Sequence, residues 1–387
     1  MDNLNTKKVF FVIGEESGDQ LGADLLVALN KKSQSAEIQI NAVGLAGPAM
    51  GALGVKSLFD ISEIAVMGVT AVLGRLPTII RRILNTVKAI ERERPDLLVL
   101  IDSPEFTHAV ARRVRKKLPD LPIIDYVCPS VWAWRQGRAR KMTAYIDHVL
   151  ALLSFEPEIL KELDGPSSTY VGHKLVDEMK GYSIGRPLIT DGSLPVLLVL
   201  PGSRRGEVER LIDVFGETVE LMRKRGHEFE VVIPAVSHLV DLIEQKTVIW
   251  PNSPKIVTGV AAKSAALKNA TAALAASGTV SLELALAGIP MVLSYKLDPI
   301  ARSVAGVVFS TWSASLPNLI ADYVVVPEEF NHEVTADRLA RQVERLLWDS
   351  PERKAQIDGM KFIKSRMQTD QPPGEKAADV VLEYLKK

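Results

Sequence analysis

Two Gly/Ser turns, each behind an apolar run, hold the residue types best suited to chemistry in this 387-residue chain. Leu200-Pro201-Gly202-Ser203-Arg204-Arg205-Gly206-Glu207 follows the apolar run Pro195–Leu200 and reads as a parallel strand whose end opens a helix. Such a turn presents backbone N–H groups together with the positive end of a helix dipole, which suits an anion. Ala272–Ala276 runs into a second turn of the same kind, Ser277-Gly278-Thr279, before the helix Val280–Ala287. Paired turns in one α/β domain point to a diphosphate carrying a sugar. Arg204 is placed to neutralise it, and Glu283, one turn into the second helix, to accept hydrogen bonds from ribose hydroxyls. Taken singly, each turn reads equally well as a helix cap.

The first half offers carboxylates. Gly14-Glu15-Glu16-Ser17-Gly18-Asp19 follows the first strand but lacks both G-x-G-x-x-G and a closing Lys-Ser/Thr, so dinucleotide and P-loop readings fail. Its carboxylates would repel a pyrophosphate and suit sugar hydroxyls, or Ser17 and Asp19 cap the following helix. Asp102, at the carboxyl end of Leu97–Ile101, is a candidate general base, with a helix N-cap as its alternative. Trp132, Trp134 and Arg135 lie on a loop with Arg138 just beyond, which is a wall of a sugar site reaching a phosphate or a loop packed on the core. His108 is expected to be a surface or packing histidine rather than a catalyst. Ile61–Ile80, apolar with interruptions and followed by Arg81 and Arg82, is either a buried helix or one that dips into lipid. The histidines are scattered and no Asp-x-Asp occurs, so no metal or other cofactor is expected.

These groups need a scaffold, and the patterning supplies one. Val9–Ile13, Ile38–Val43, Leu97–Ile101, Ile123–Val127 and Val149–Leu153 read as buried strands. They alternate with the helix candidates Asp19–Lys31, Pro77–Arg94 and Glu105–Lys117. The scheme weakens over Gly181–Ser193 and restarts as Val196–Leu200, Glu230–Pro234, Ala272–Ala276 and Pro290–Ser294; from Thr335 onward only helices are expected. The fold class is therefore α/β, with two doubly wound Rossmann-like domains facing across a cleft and ligands beyond the carboxyl ends of the strands. The expected boundaries are 1–173 and 174–348 for these two domains and 349–387 for a helical tail.

Composition narrows the class. Lys and Arg number 47 against 47 Asp and Glu, so no global field steers the chain to nucleic acid. One cysteine, Cys128, excludes a disulfide framework and suits a reducing compartment. No uninterrupted apolar run is long enough to span a bilayer and no signal peptide is apparent, so the expected location is the cytoplasm.

Several segments together resemble one family. Gly14–Asp19, Ile101-Asp102-Ser103-Pro104, Tyr126–Arg135, Val171-Gly172-His173, Leu200–Arg204, Ser277–Glu283 and Leu316-Pro317-Asn318 are similar, in that order, to lipid-A-disaccharide synthase. The tryptophan segment is the most specific of them. Two residues depart from the family pattern: Glu105 replaces a frequent Asp, and Arg205 a frequent small residue. The resemblance implies a GT-B glycosyltransferase that joins UDP-2,3-diacylglucosamine to 2,3-diacylglucosamine 1-phosphate with inversion, giving a β-1,6-linked disaccharide and UDP. It makes 1–173 the acceptor and lipid domain and 174–348 the UDP-sugar domain, with the C-terminal helices of 349–387 returning to the first domain. It implies Asp102 as base, with Glu15 beside it, and UDP on Gly202, Ser203, Arg204, Ser277, Gly278, Thr279, Glu283 and Asn318. Ser17, Asp19, Trp132, Trp134 and Arg135 become candidate acceptor contacts. Diacylated substrates stay with the bilayer, so the resemblance implies peripheral contact with the inner membrane and makes Val66, Met67 and Val69 candidate lipid contacts. A homodimer is left open. A UDP-sugar 2-epimerase of the same fold and a non-catalytic UDP-sugar or lipid-binding module are the competing readings.

Overall fold

Short runs of Val, Leu and Ile with no polar interruption cannot leave either face of a strand in water, and here they form the centres of two parallel sheets. A computed structural model describes residues 5–64, 69–185, 192–297 and 311–386, the side chains of 69–74 excepted. The chain divides into two compact units, Met1–Lys174 with Thr369–Lys387, and Leu175–Gln368.

In the first unit the strands are β1 (Asn5–Ile13), β2 (Ile38–Leu45), β3 (Leu97–Ile101), β4 (Ile123–Tyr126), β5 (His148–Ala151) and β6 (Ser167–Tyr170). Their order is β2-β1-β3-β4-β5-β6, every pair parallel. Between them run α1 (Glu16–Ser35), α2 (Pro48–Ala52), α3 (Val69–Glu93), α4 (Pro104–Lys117), α5 (Gly137–Met142) and α6 (Glu156–Glu162). Alternate residues of β1 feed two cores. Val9, Phe11 and Ile13 pack with α1, while Phe10 and Val12 pack with α3 and α4. Pro77 lies inside α3, so the separate expectations for Ile61–Ile80 and Pro77–Arg94 merge into one helix from Val69. Ile83, Val87 and Ile90 of α3 are buried, whereas Leu76, Ile80 and Leu84 are exposed.

The second unit repeats the plan after α7 (Lys174–Glu178). Its strands are β7 (Val196–Leu200), β8 (Glu230–Ala235), β9 (Lys255–Thr258), β10 (Ala272–Ala276), β11 (Met291–Tyr295) and β12 (Glu328–Phe330). The order is β12-β11-β10-β7-β8-β9, again parallel. The helices are α8 (Arg205–Lys224), α9 (Val240–Thr247), α10 (Val260–Asn269), α11 (Thr279–Leu286), α12 (Leu316–Ala321), α13 (Ala336–Leu347) and α14 (Pro351–Met367).

The tail departs from expectation. Of 349–387, α14 stays with the second unit, because Arg353 donates to the carbonyls of Thr271 (2.7 Å) and Leu346 (2.6 Å). Gln356 also bridges both backbone groups of Met291. Only α15 (Pro373–Lys386) belongs to the first unit. It buries Ala377, Ala378, Val381 and Leu385 in the α1 core, and Lys32 pairs with Asp379 at 2.6 Å.

Both sheets reverse strand order once, between β1 and β3 in the first and between β7 and β10 in the second. In open α/β sheets ligands bind at such switch points, beyond the carboxyl ends of the strands. The four loops leaving these strands carry Gly14–Ser17, Asp102–Ser103, Gly202–Arg204 and Ser277–Thr279.

Candidate active site

In the first unit the loops after β1 and β3 are pressed together. A Cβ on Gly14 would lie 2.0 Å from Cβ of Ser103, so only glycine fits there. The Gly18 position lies against the Ile101 carbonyl and Cβ of Asp102, which brings the first turn of α1 onto the end of β3. Asp102 (φ 61°) and Ser103 (φ 45°) are consecutive non-glycine residues in the left-handed region, ahead of Pro104. Backbone in this region costs energy and persists where surrounding contacts over-determine it. The contacts here are the Asp102 amide on the Tyr126 carbonyl (3.1 Å) and the Thr107 hydroxyl on the Asp102 carbonyl (2.9 Å).

This turn fixes the half-buried carboxylate of Asp102. Its Oδ1 accepts from the Ser103 amide at 2.7 Å and its Oδ2 from Ser17 Oγ at 2.9 Å. Ser103 Oγ donates to Glu15 Oε1 at 2.9 Å, so one serine ties both carboxylates together. Asp102, Glu15 and Ser17 therefore share one cluster. A carboxylate held through both oxygens, with lone pairs left over, can take a proton from an alcohol.

Asp19 stands apart from that cluster. It is buried, and its oxygens accept from the amides of Gly47 (2.8 Å), Ala49 (2.6 Å) and Met50 (3.3 Å). The structure thus gives it to the opening of α2 rather than to an acceptor, because three amides need a buried partner.

The tryptophan loop splits in two. Trp132 turns to the protein: its indole N–H donates to Glu156 Oε1 at 3.2 Å and its ring meets Phe155 edge-on at 5.5 Å. Glu156 also accepts from the amides of Leu152 and Leu153, and burial pushes its carboxyl up to about 7 despite these three donors. Trp134 carries the guanidinium of Arg135 over its ring at 4.3 Å. Arg135, exposed at φ 53°, and Arg138 both face Glu105. His108 is buried between Asp125 (2.9 Å) and the Tyr145 hydroxyl, which makes it a packing histidine and not a surface one. Val66 and Met67 lie outside the described residues, as does the side chain of Val69.

In the second unit the two turns differ in kind. After β7, Gly202 (φ 124°) leaves room for Glu207, whose Cβ would be 2.5 Å from a Cβ at that glycine. Glu207 Oε2 accepts from the amides of Ser203 (3.1 Å) and Arg204 (3.3 Å), and Oε1 from the Arg204 guanidinium (3.1 Å). The amides expected to face an anion are thus already held by an internal carboxylate, as in a capping box. What this turn offers is the exposed guanidinium of Arg204.

The turn after β10 is the open one. Gly278 (φ 156°) precedes α11, and a Cβ there would meet nothing within 4 Å. The amides of Gly278, Thr279 and Val280 have no acceptor among the described residues. Ser277 anchors the turn through its amide on the Ser294 carbonyl (2.9 Å) and its hydroxyl on the Ala314 carbonyl (3.0 Å). Glu283 follows, one oxygen bound by Lys263 Nζ at 2.7 Å.

Asn318 departs from the nucleotide reading. It is buried, its amide donates to the Val326 carbonyl (2.9 Å), and its oxygen accepts from the amides of Val325 (2.8 Å) and Val326 (2.9 Å). Its side chain shapes the path from α12 to β12.

Residues that the sequence reading passed over are Ser103, Glu156, Glu207 and Lys263. Glu207 had a signal, since a Glu three residues after a helix start marks a capping box. Lys263 had none, because its partner is 20 residues away on another helix.

With this geometry in view, comparisons place the chain among known proteins. Residues 9–380 match the family described as Lipid-A-disaccharide synthetase. A relative from Nitrobacter winogradskyi, Lipid-A-disaccharide synthase, is 46% identical, covering 98% of this chain and 96% of its own. A solved glycotransferase of kitacinnamycin aligns over 99% of this chain and 100% of its own, with TM-score 0.64 and 16% identity. A UDP-GlcNAc 2-epimerase from Neisseria meningitidis, solved with UDP-GlcNAc, aligns over 98% and 99%, with TM-score 0.57 and 15% identity. These last two likenesses speak to the fold alone.

Proposed function

The chain belongs to the lipid-A-disaccharide synthetase family of glycosyltransferases, and from that premise we propose which residues carry the transfer. The donor is UDP-2,3-diacylglucosamine and the acceptor 2,3-diacylglucosamine 1-phosphate. The second unit binds the nucleotide. Amides of Gly278, Thr279 and Val280 take the diphosphate, Arg204 adds a charge-assisted contact, and Glu283 accepts from the ribose. Ser203 and Gly202 act through the shape of their turn, whose amides Glu207 already holds.

Asp102 is the base. The observation that carries this reading is its carboxylate, held by Ser17 and Ser103 at the switch point of the first sheet. It removes the proton from the acceptor 6-hydroxyl as that oxygen attacks the anomeric carbon. The bond to UDP breaks on the opposite face, so an α donor gives a β linkage in one displacement. Glu15, tied to Asp102 through Ser103, orients the cluster and accepts from acceptor hydroxyls. Trp134 and Arg135 line the acceptor side, while Trp132 is turned inward to Glu156.

Both substrates carry two acyl chains, enough for stable anchoring in a bilayer, so the enzyme works at a membrane surface. Among the described residues no helix is long and apolar enough to cross a membrane. Lipid contact falls instead to the start of α3. Leu76, Ile80 and Leu84 recur at four-residue spacing on one exposed row, with the exposed Arg75 and Arg81 beside them, and Val66, Met67 and Val69 precede them in the chain. Electrostatic attraction to an anionic leaflet fits these arginines.

Incubating the protein with UDP-diacylglucosamine, with and without acceptor, tests the reading. UDP release that requires the acceptor is expected. Isomerised donor without acceptor would make it an epimerase, and binding without turnover a silent module.

A further inference from the structure

Lys263 lies on α10, four residues after the turn Thr258-Gly259, where its amide closes onto the Gly259 carbonyl at 3.0 Å. Nothing in the transfer chemistry calls for it. Yet its ammonium sits 2.7 Å from Glu283 Oε2, on a different helix and at the same end of the sheet. The Glu283 side chain is mostly covered, at 13% exposure, and that of Lys263 is 40% exposed. Glu283 Oε1 has no partner among the described residues, so one oxygen is pinned and the other is left to accept.

We propose that Lys263 is a positioning residue that sets Glu283 to read a ribose diol, making this site selective for ribonucleoside over 2′-deoxyribonucleoside diphosphates. The inference rests on the nucleotide assignment made above and deepens it. A glutamate near the first turn of α11 has three side-chain torsions to settle. Pinning Oε2 removes most of that freedom before the ligand arrives, and pre-organisation of this kind favours binding. The two hydroxyls of a ribose can then share Oε1 and the remaining lone pair of Oε2. A 2′-deoxyribose leaves one of these acceptors unmatched. A hydrogen bond to a charged group corresponds to roughly ten- to a hundredfold in affinity.

The test titrates the full-length protein with UDP and with 2′-deoxy-UDP, before and after Lys263→Met. Wild type should prefer UDP by roughly tenfold or more. In Lys263→Met, UDP should weaken about tenfold while 2′-deoxy-UDP changes little, so the preference collapses, and Lys263→Arg should restore it. A preference that survives in Lys263→Met overturns the inference. So does equal weakening of both nucleotides, which would make Lys263 a general counter-charge for the diphosphate. Wild type that binds UDP without ribose preference sinks this inference alone, whereas wild type that fails to bind UDP sinks the nucleotide assignment with it.

Discussion

Replacing Asp102 with Asn separates the chemistry from the architecture better than any other single change. In the native turn Oδ1 accepts the Ser103 amide and Oδ2 the Ser17 hydroxyl. In Asp102→Asn the side-chain oxygen keeps the first bond. The new amide donates to Ser17 Oγ, which rotates from donor to acceptor at the same 2.9 Å. Both left-handed residues keep their supports, so the stability change should stay within about 1 kcal/mol. What disappears is the ability to accept a proton. Positioned general bases contribute about 10²- to 10⁴-fold, equivalent to roughly 3–5 kcal/mol of barrier. Initial rates of UDP release at saturating donor and acceptor should fall by that factor, while calorimetry finds UDP affinity and melting temperature near wild type. A turnover within roughly threefold of wild type would refute the assignment. A parallel loss of turnover and UDP affinity would move Asp102 from proton transfer to donor binding.

Asp19→Ala should lower stability by about 3–5 kcal/mol in urea unfolding, because three amides at the start of α2 lose their buried acceptor. Wild-type stability combined with a raised KM for the acceptor would return Asp19 to the substrate. Glu156 links stability to pH: with its carboxyl raised to about 7 by burial, the folded state keeps a proton that the unfolded chain releases above about 4.5. Its contribution to stability therefore declines as pH rises from about 4.5 through 7, and Glu156→Gln should remove that contribution, about 3 kcal/mol across the range. Parallel stability–pH curves for the two proteins would contradict it. Replacing Leu76, Ile80 and Leu84 together by Ser should cut co-sedimentation with anionic liposomes several-fold while leaving the melting temperature in place, since these side chains are exposed. Undiminished pelleting would take lipid contact away from this helix.

How far the sequence alone reached follows from where each signal lies. The central strands were legible because a strand segment buried on both faces must be apolar throughout; β3, β7, β10 and the Val9–Ile13 end of β1 meet that demand and fix both switch points. The strands it passed over, β6, β9 and β12, are all sheet edges. They are short and partly exposed, so no continuous apolar run announces them. Within the site, local spacing sufficed to gather Glu15, Ser17 and Asp102 as candidates, because each sits just past a central strand. Which of those side chains faces a ligand depended on the partners that packing brings to each. Asp19 and Asn318 look as polar as their neighbours, yet one serves amides 28 to 31 residues away and the other folds back onto its own loop. Glu207 closes its own turn at a capping-box spacing that the sequence carries, whereas Lys263 reaches Glu283 from another helix. Residue order determined the sheets and the loops that leave them, since burial acts on every residue of a strand. Tertiary packing decided which polar groups remain for a substrate, since a buried hydrogen-bonding group takes whatever partner the fold brings to it.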